Sequence, residues 1–318
     1  MPPIRTLVHA LSLALVLAGG APIAAADVAF PDSWASGGPI DADDLKGKVI
    51  VLYFVDVFPQ QSDPPRGRGD EQARGIPATE AVSAASRFHN DPVLFIAVAG
   101  SASSTEAAAW AKKQRLTHWL VLADLTLQFT RSCNVQPSAT GRAAVVQPDG
   151  SISAATDLNQ AIASAVESAK WEIDEKQVPE VLRDTWRAYE LADYSQALRG
   201  VRRHLHATDE NRKKIAQQIH DRIDERFRAA IAKADQLVED DQAWAAYKIY
   251  RRTLDQFAGH GDSSKVRQKM TQISRDPQVS RERRAELRLN AAGKTINSKY
   301  VRTQIEGKRQ LQMIVEKY

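Results

Sequence analysis

Hydrophobic positions along the chain change their period near residue 175. Before that point, short apolar runs at Lys48 to Phe54 and Val93 to Ala99 alternate with helically spaced stretches at Ala78 to Phe88 and Ser104 to Arg115. Continuous runs of β-branched and aromatic residues read as buried strands, and spacing of three and four reads as helix faces that cover them. Ser103 or Ser104 is placed to cap the second of these helices, with Glu106 supporting its first turn. Trp119 to Leu122 predicts a further short strand and Leu125 to Ser132 a helical turn. Ala143 to Gln147 then meets Ile152 across Pro148-Asp149-Gly150, an Asp-Gly turn that predicts a hairpin. Leu158 to Ala169 closes the series as an amphipathic helix. Strands alternating with helices and ending in a hairpin predict an α/β domain built on a mixed sheet.

From Val178 the strand pattern stops and the helical period takes over. A helix opening at Pro179 places Val181, Leu182, Thr185, Trp186 and Tyr189 on one face. A second carries Ala197, Leu198, Val201 and Leu205, and a long third carries Ile215, Ile219, Ile223, Phe227, Ile231 and Leu237. Asp240-Asp241-Gln242-Ala243-Trp244, continuing to Tyr247, Tyr250, Leu254 and Phe257, echoes the small and aromatic spacing that follows Asp193. The two copies resemble tetratricopeptide-type hairpins, in which small residues such as Ala197 and Ala246 let helices approach closely. The expected architecture is thus an α/β domain followed by an all-α, helical-repeat-like domain. The spacing of the aromatic residues favours hairpin core, and Tyr194 and Tyr250 are the candidates for a contact surface on the helices.

Charge sharpens the division. Residues 27–170 hold 12 Lys and Arg against 16 Asp and Glu, whereas residues 171–318 hold 30 against 23. Such an asymmetry predicts two units with different surfaces, a 27–170 domain and a 171–318 domain, with protease cuts expected near Lys170 to Gln177. The last stretch, Arg281 to Tyr318, is the most basic, with 10 Lys and Arg against 4 Asp and Glu. Arg5 followed by the apolar run Leu7 to Leu17, then Gly19-Gly20-Ala21-Pro22 and Ala24-Ala25-Ala26, predicts a signal peptide over residues 1–26. The run falls short of the roughly 20 residues that span a bilayer, so the mature chain is expected to lack a transmembrane segment and to be exported, either to a periplasm or outside the cell. Export argues against nucleic acid as the partner of the basic tail; anionic envelope components or an acidic protein are the targets within reach.

The chemistry-bearing residues are sparse. Cys133 is the only cysteine, which excludes an intramolecular disulfide and any cysteine-built zinc site. His204 and His206, two residues apart, would face different sides of a helix, so no metal is expected. Gly-x-Ser-x-Gly, a phosphate loop and His-Glu-x-x-His are all absent, and no cofactor is predicted.

The entry Leu45-Lys46-Gly47-Lys48-Val49-Ile50-Val51-Leu52-Tyr53-Phe54, the strand Val93 to Ala99, Ala123-Asp124, Asn134-Val135-Gln136-Pro137-Ser138 and Pro148-Asp149-Gly150 occur in an order and spacing that resemble the thioredoxin-like superfamily, in particular its exported TlpA-like branch. The resemblance covers roughly 120 to 140 residues and implies a sheet flanked by helices. It also implies a redox centre after the first strand and a cis-proline facing it, for which Pro137 is the matching position. The chain departs from the family at that centre. Val55-Asp56-Val57-Phe58-Pro59-Gln60-Gln61-Ser62 puts Pro59 and Ser62 where the two cysteines would stand. Dithiol exchange needs one thiolate to attack and a second thiol to resolve the mixed disulfide, and neither residue does this. The expected function is therefore that of a redox-inactive, protein-binding or envelope assembly module. Its groove would be lined by Phe58, Gln60, Gln61, Gln136, Pro137 and Ser138, with an unidentified protein as partner. The competing expectation is a thiol-disulfide redox protein that works through Cys133 alone, near Arg131.

Overall fold

The computed structural model describes residues 30–57, 75–116, 118–135, 138, 140–296, 306–310 and 312–314. The segment read as a signal peptide lies outside them. The α/β part runs β1 (Trp34–Ser36), β2 (Val49–Asp56), α1 (Ala78–Arg87), β3 (Val93–Gly100), α2 (Ser104–Lys113), β4 (Leu120–Asp124), α3 (Gln128–Ser132), β5 (Arg142–Val146), β6 (Ile152–Ala155) and α4 (Leu158–Val166). Six strands form one sheet in the order β1-β4-β3-β2-β5-β6. β2, β3 and β4 are parallel, while β1, β5 and β6 pair antiparallel. Every residue of β3 and all but the last of β2 are buried, as expected of central strands covered on both faces. The alternation of these strands with helices, the mixed directions and the hairpin are as the pattern of apolar residues predicts. Ser103 caps α2 in a full capping box with Glu106.

The two faces of the sheet are covered differently. One face, with Val49, Val51, Tyr53, Phe95 and Val121, packs against residues of α1, α2 and α4. The other, with Ile50, Leu52, Phe54, Ile96 and Leu122, joins an apolar cluster that continues through Trp186, Tyr189, Tyr194, Ile219, Phe227 and Phe257 of the helical part. That part consists of α5 (Arg183–Glu190), α6 (Tyr194–Val201), α7 (Glu210–Glu239), α8 (Ala243–Gln256), α9 (Ser263–Ile273) and α10 (Pro277–Ile296). The first helix begins later than Pro179 predicts: a 3-10 turn over Glu180–Leu182 precedes it, and this leaves Val181 exposed rather than on the packed face. The helix lengths also separate the two hairpins, since α7 has 30 residues and α5 has 8.

Polar groups tie the helices to the sheet. Lys48, at the entrance to β2, pairs with Glu190 of α5 at 2.7 Å, with side chains 5% and 0% exposed. Glu190 is further satisfied by the N–H groups of Glu172 and Ile173 and by the Trp186 indole N–H, at 2.9, 2.7 and 3.1 Å. A carboxylate with three donors and a cation within reach meets the conditions under which a buried charge is tolerated. Arg226 of α7 reaches Asp44 at 3.2 Å and Glu172 at 2.7 Å, lies over the rings of Tyr189 and Tyr194, and donates to the Tyr194 hydroxyl. Arg251 and Arg252 of α8 pair with Asp32 at 3.4 and 2.9 Å. The opposite charges of the two halves, which the sequence suggests belong to separate surfaces, are thus partly matched to one another across a shared seam.

Candidate functional site

The carboxyl ends of the three parallel strands stand in a row, because Asp56 is opposite Gly100 in the β2–β3 ladder and Gly100 is opposite Asp124 in the β3–β4 ladder. This edge is where open α/β sheets place their ligand sites. The Asp56 N–H donates to the Ser138 carbonyl at 3.2 Å, which brings the loop after Cys133 against the end of β2. That loop is anchored from three sides. The Gly141 N–H donates to the Ser138 carbonyl at 3.0 Å, the Ile76 N–H donates to the Gly141 carbonyl at 3.0 Å, and the Tyr53 hydroxyl donates to the carbonyls of Ile76 and Thr140 at 2.9 and 3.3 Å. Burial pushes the Tyr53 hydroxyl pKa up to about 12, which keeps it a donor. Gly141 has φ +85°, and a Cβ there would stand 2.1 Å from the Tyr53 oxygen, so only glycine lets the chain pass this close.

Of the expected groove residues, Ser138 is beside the end of β2, and its hydroxyl is 2.9 Å from that of Thr140. Phe58, Pro59, Gln60, Gln61, Ser62, Gln136 and Pro137 lie outside the described residues. Asp124, at the edge of the row, is only 4% exposed and already committed. Its oxygens accept from the Phe129 and Thr130 N–H groups at 3.4 and 2.7 Å and from the Thr130 hydroxyl at 2.6 Å. It therefore organises the first turn of α3.

Cys133 follows that helix and packs in the same apolar cluster as Phe30, Phe54 and Phe129, with 5% of its surface exposed. Burial pushes its thiol pKa up to about 11; the Ser132 hydroxyl works against this shift and the Asp124 carboxylate adds to it. The positive charge of Arg131, which would favour a thiolate, does not set the balance. Among the described residues, no group of three His, Cys, Asp or Glu side chains is arranged to hold a metal ion.

Tyr194 and Tyr250, the candidates for a helical contact surface, are 0% and 2% exposed and so are enclosed rather than displayed. Tyr194 stacks on Phe257 with ring centres 4.8 Å apart, and the Tyr250 hydroxyl donates to Asp235. Burial raises both phenol pKa values, and each hydroxyl is consumed inside the protein. The interior ion pair of Lys48 and Glu190 was not foreseen, because a lone Lys and a lone Glu far apart in sequence read as surface residues.

Solved structures similar to the chain include MTB DsbF in its mixed oxidised and reduced forms, at 20% identity and a TM-score of 0.33, covering 44% of this chain and 96% of that one. Another is a secreted Mycobacterium tuberculosis disulfide oxidoreductase homologous to E. coli DsbE, at 19% identity and 0.32, covering 43% and 97%. A third is a thiol:disulfide interchange protein of the thioredoxin family from Chlorobium tepidum TLS, at 17% identity and 0.31, covering 42% and 90%. At these values the likeness assigns no activity to the chain. No protein-family model and no curated protein matches it. Among the described residues, no helix is long and apolar enough to cross a membrane.

Proposed function

We propose that the chain is an exported, redox-inactive thioredoxin-like protein that binds another protein through the sheet edge beside Ser138 and serves as an envelope binding or assembly module. The observation that carries this reading is the state of Cys133. It is the chain's single cysteine, it is buried among apolar side chains, and its thiol is held well above neutral pH. A dithiol cycle lacks its second sulfur, and a single-thiol exchange lacks an accessible thiolate. What the scaffold retains is a sheet edge with an anchored loop against which an extended segment can lie. The helical hairpins, through the seam, hold that edge on a larger rigid body. Export rests on the N-terminal pattern around Arg5, Leu7 to Leu17 and Ala26.

The test is a photo-cross-linking amino acid placed at Ser138 in the protein expressed in its own envelope, with the same group at Lys112 on α2 as control. A discrete cross-linked protein from position 138, missing from position 112 and unchanged by Cys133→Ser, is the expected result. Adducts that disappear in Cys133→Ser, or insulin reduction that requires Cys133, would overturn the redox-inactive reading. The same diffuse adducts from both positions would overturn the binding site.

A further inference from the structure

We infer that the outer face of α10 is a docking surface for an anionic phospholipid bilayer. The inference stands on a different element from the Ser138 edge and does not depend on that site. Its first support is where the charge lies. Of the helical part, residues 171–280 are close to balanced, with 20 Lys and Arg against 19 Asp and Glu, and the excess is concentrated from Arg281 onward. The second support is how α10 uses its residues. Part of it is spent on the fold: Val279 and Ala292 are fully buried, and Glu286 is paired with Arg251 at 3.2 Å. Arg281, Arg283 and Arg284 are exposed, and among the described residues no carboxylate pairs with any of them. Arg284 donates only to the Ser280 carbonyl one turn earlier, at 3.0 Å. At the seam, by contrast, arginines are matched by carboxylates, as Arg226 is by Asp44 and Arg252 by Asp32.

The third support decides the class of partner. Leu287 is 60% exposed, the highest value among the large apolar side chains that stand out from the described surface. On a helix it neighbours Arg283 and Arg284, four and three residues before it. A leucine raised among arginines suits a surface whose charged layer lies a few ångströms above an apolar interior, which is the layout of a lipid headgroup region. An acidic protein would neutralise the arginines but gives no reason for α10 to raise leucines beside them, Leu287 and, at 43% exposed, Leu289.

Flotation of the purified protein with vesicles tests this. Phosphatidylcholine vesicles containing phosphatidylglycerol should carry the protein up the gradient, pure phosphatidylcholine should not, and high salt should release it, since screening shortens the reach of exposed charges. Arg281→Glu with Arg284→Glu should weaken partitioning by roughly thirtyfold or more, taking about a factor of six for each basic group lost near an anionic surface. Leu287→Ser should weaken it several-fold while leaving the urea midpoint in place, so that one variant reads the surface even if the charge reversal disturbs folding. Equal binding to both vesicle types, no binding to either, or binding indifferent to all three substitutions would overturn the inference. Retention on immobilised polyglutamate without any vesicle binding would assign the face to an acidic protein and overturn it as well.

Discussion

Substituting Glu190 by Gln tests whether the sheet and the helices are one cooperative body. The change keeps the shape and one acceptor oxygen for the Ile173 and Trp186 N–H groups, and it removes the counter-charge 2.7 Å from the Lys48 ammonium. An uncompensated buried charge costs about 3–5 kcal/mol. The lower end applies here, because Lys48 keeps its bond to the Lys170 carbonyl at 2.7 Å and its place over the Trp171 ring at 5.5 Å. Lys48→Met should cost less, about 2 kcal/mol, because the carboxylate left behind still accepts three N–H bonds, the type of charge-assisted contact that stabilises a buried anion. The double variant buries no charge and should lie within about 1 kcal/mol of the parent. Urea unfolding followed by tryptophan fluorescence is a direct readout, since Trp171 and Trp186 pack with ring centres 4.7 Å apart, tilted by 58°, beside the pair. A loss below about 1 kcal/mol in Glu190→Gln, or a larger loss in Lys48→Met than in Glu190→Gln, would refute the reasoning about which charge is better solvated.

Native alkylation of Cys133 should follow a titration midpoint near pH 11, with about a hundredfold less thiolate below pH 9 than an ordinary thiol of pKa 9.0 supplies; a midpoint below 8 would reverse the account of the site. Trypsin acting at the exposed Lys176 should yield fragments that still co-elute on size exclusion, because the seam rather than the connecting peptide joins the two parts; separation without denaturant would contradict this. Arg226→Ala should lower stability by about 2–4 kcal/mol, and Arg226→Lys should restore only part of it, since one ammonium cannot span Asp44, Glu172 and both tyrosine rings; thermal unfolding of the two variants checks the order.

Much of the α/β part was legible because its central strands are buried on both faces and therefore read as unbroken apolar runs, as Val49 to Val55 and Val93 to Ala99 do. β1 was not. Trp34–Ser36 is a half-buried tripeptide whose extended form comes from pairing with Val121 and Leu122 of β4, a contact with no local signature. Tyr194 and Tyr250, the candidates for a contact surface, are buried in α6 and α8, as residues at helical aromatic spacing often are. Only tertiary contacts could show that their hydroxyls are also taken. The seam charges were illegible for a related reason: Asp44 and Arg226 belong to different elements, and a carboxylate or guanidinium looks the same in sequence whether water or a partner satisfies it. At the candidate site, the Asp56 N–H to Ser138 carbonyl bond that sets the loop against the end of β2 has no local signature in the sequence. The clamp of Tyr53 against Ile76 and Thr140 needed the structure.

The Lys48–Glu190 pair also sets an order of events on the ribosome. A chain emerging from its N-terminus completes all six strands before α5 exists, so the nascent sheet holds a lysine whose native position is dry and whose counter-ion has not yet been made. The same sheet also waits for Trp186 and Tyr189 to cover the face that carries Leu52 and Phe54. Local pieces can form early, but covering of the sheet's second face must be late and long-range, which slows folding and prolongs the interval in which that apolar face is open to a chaperone.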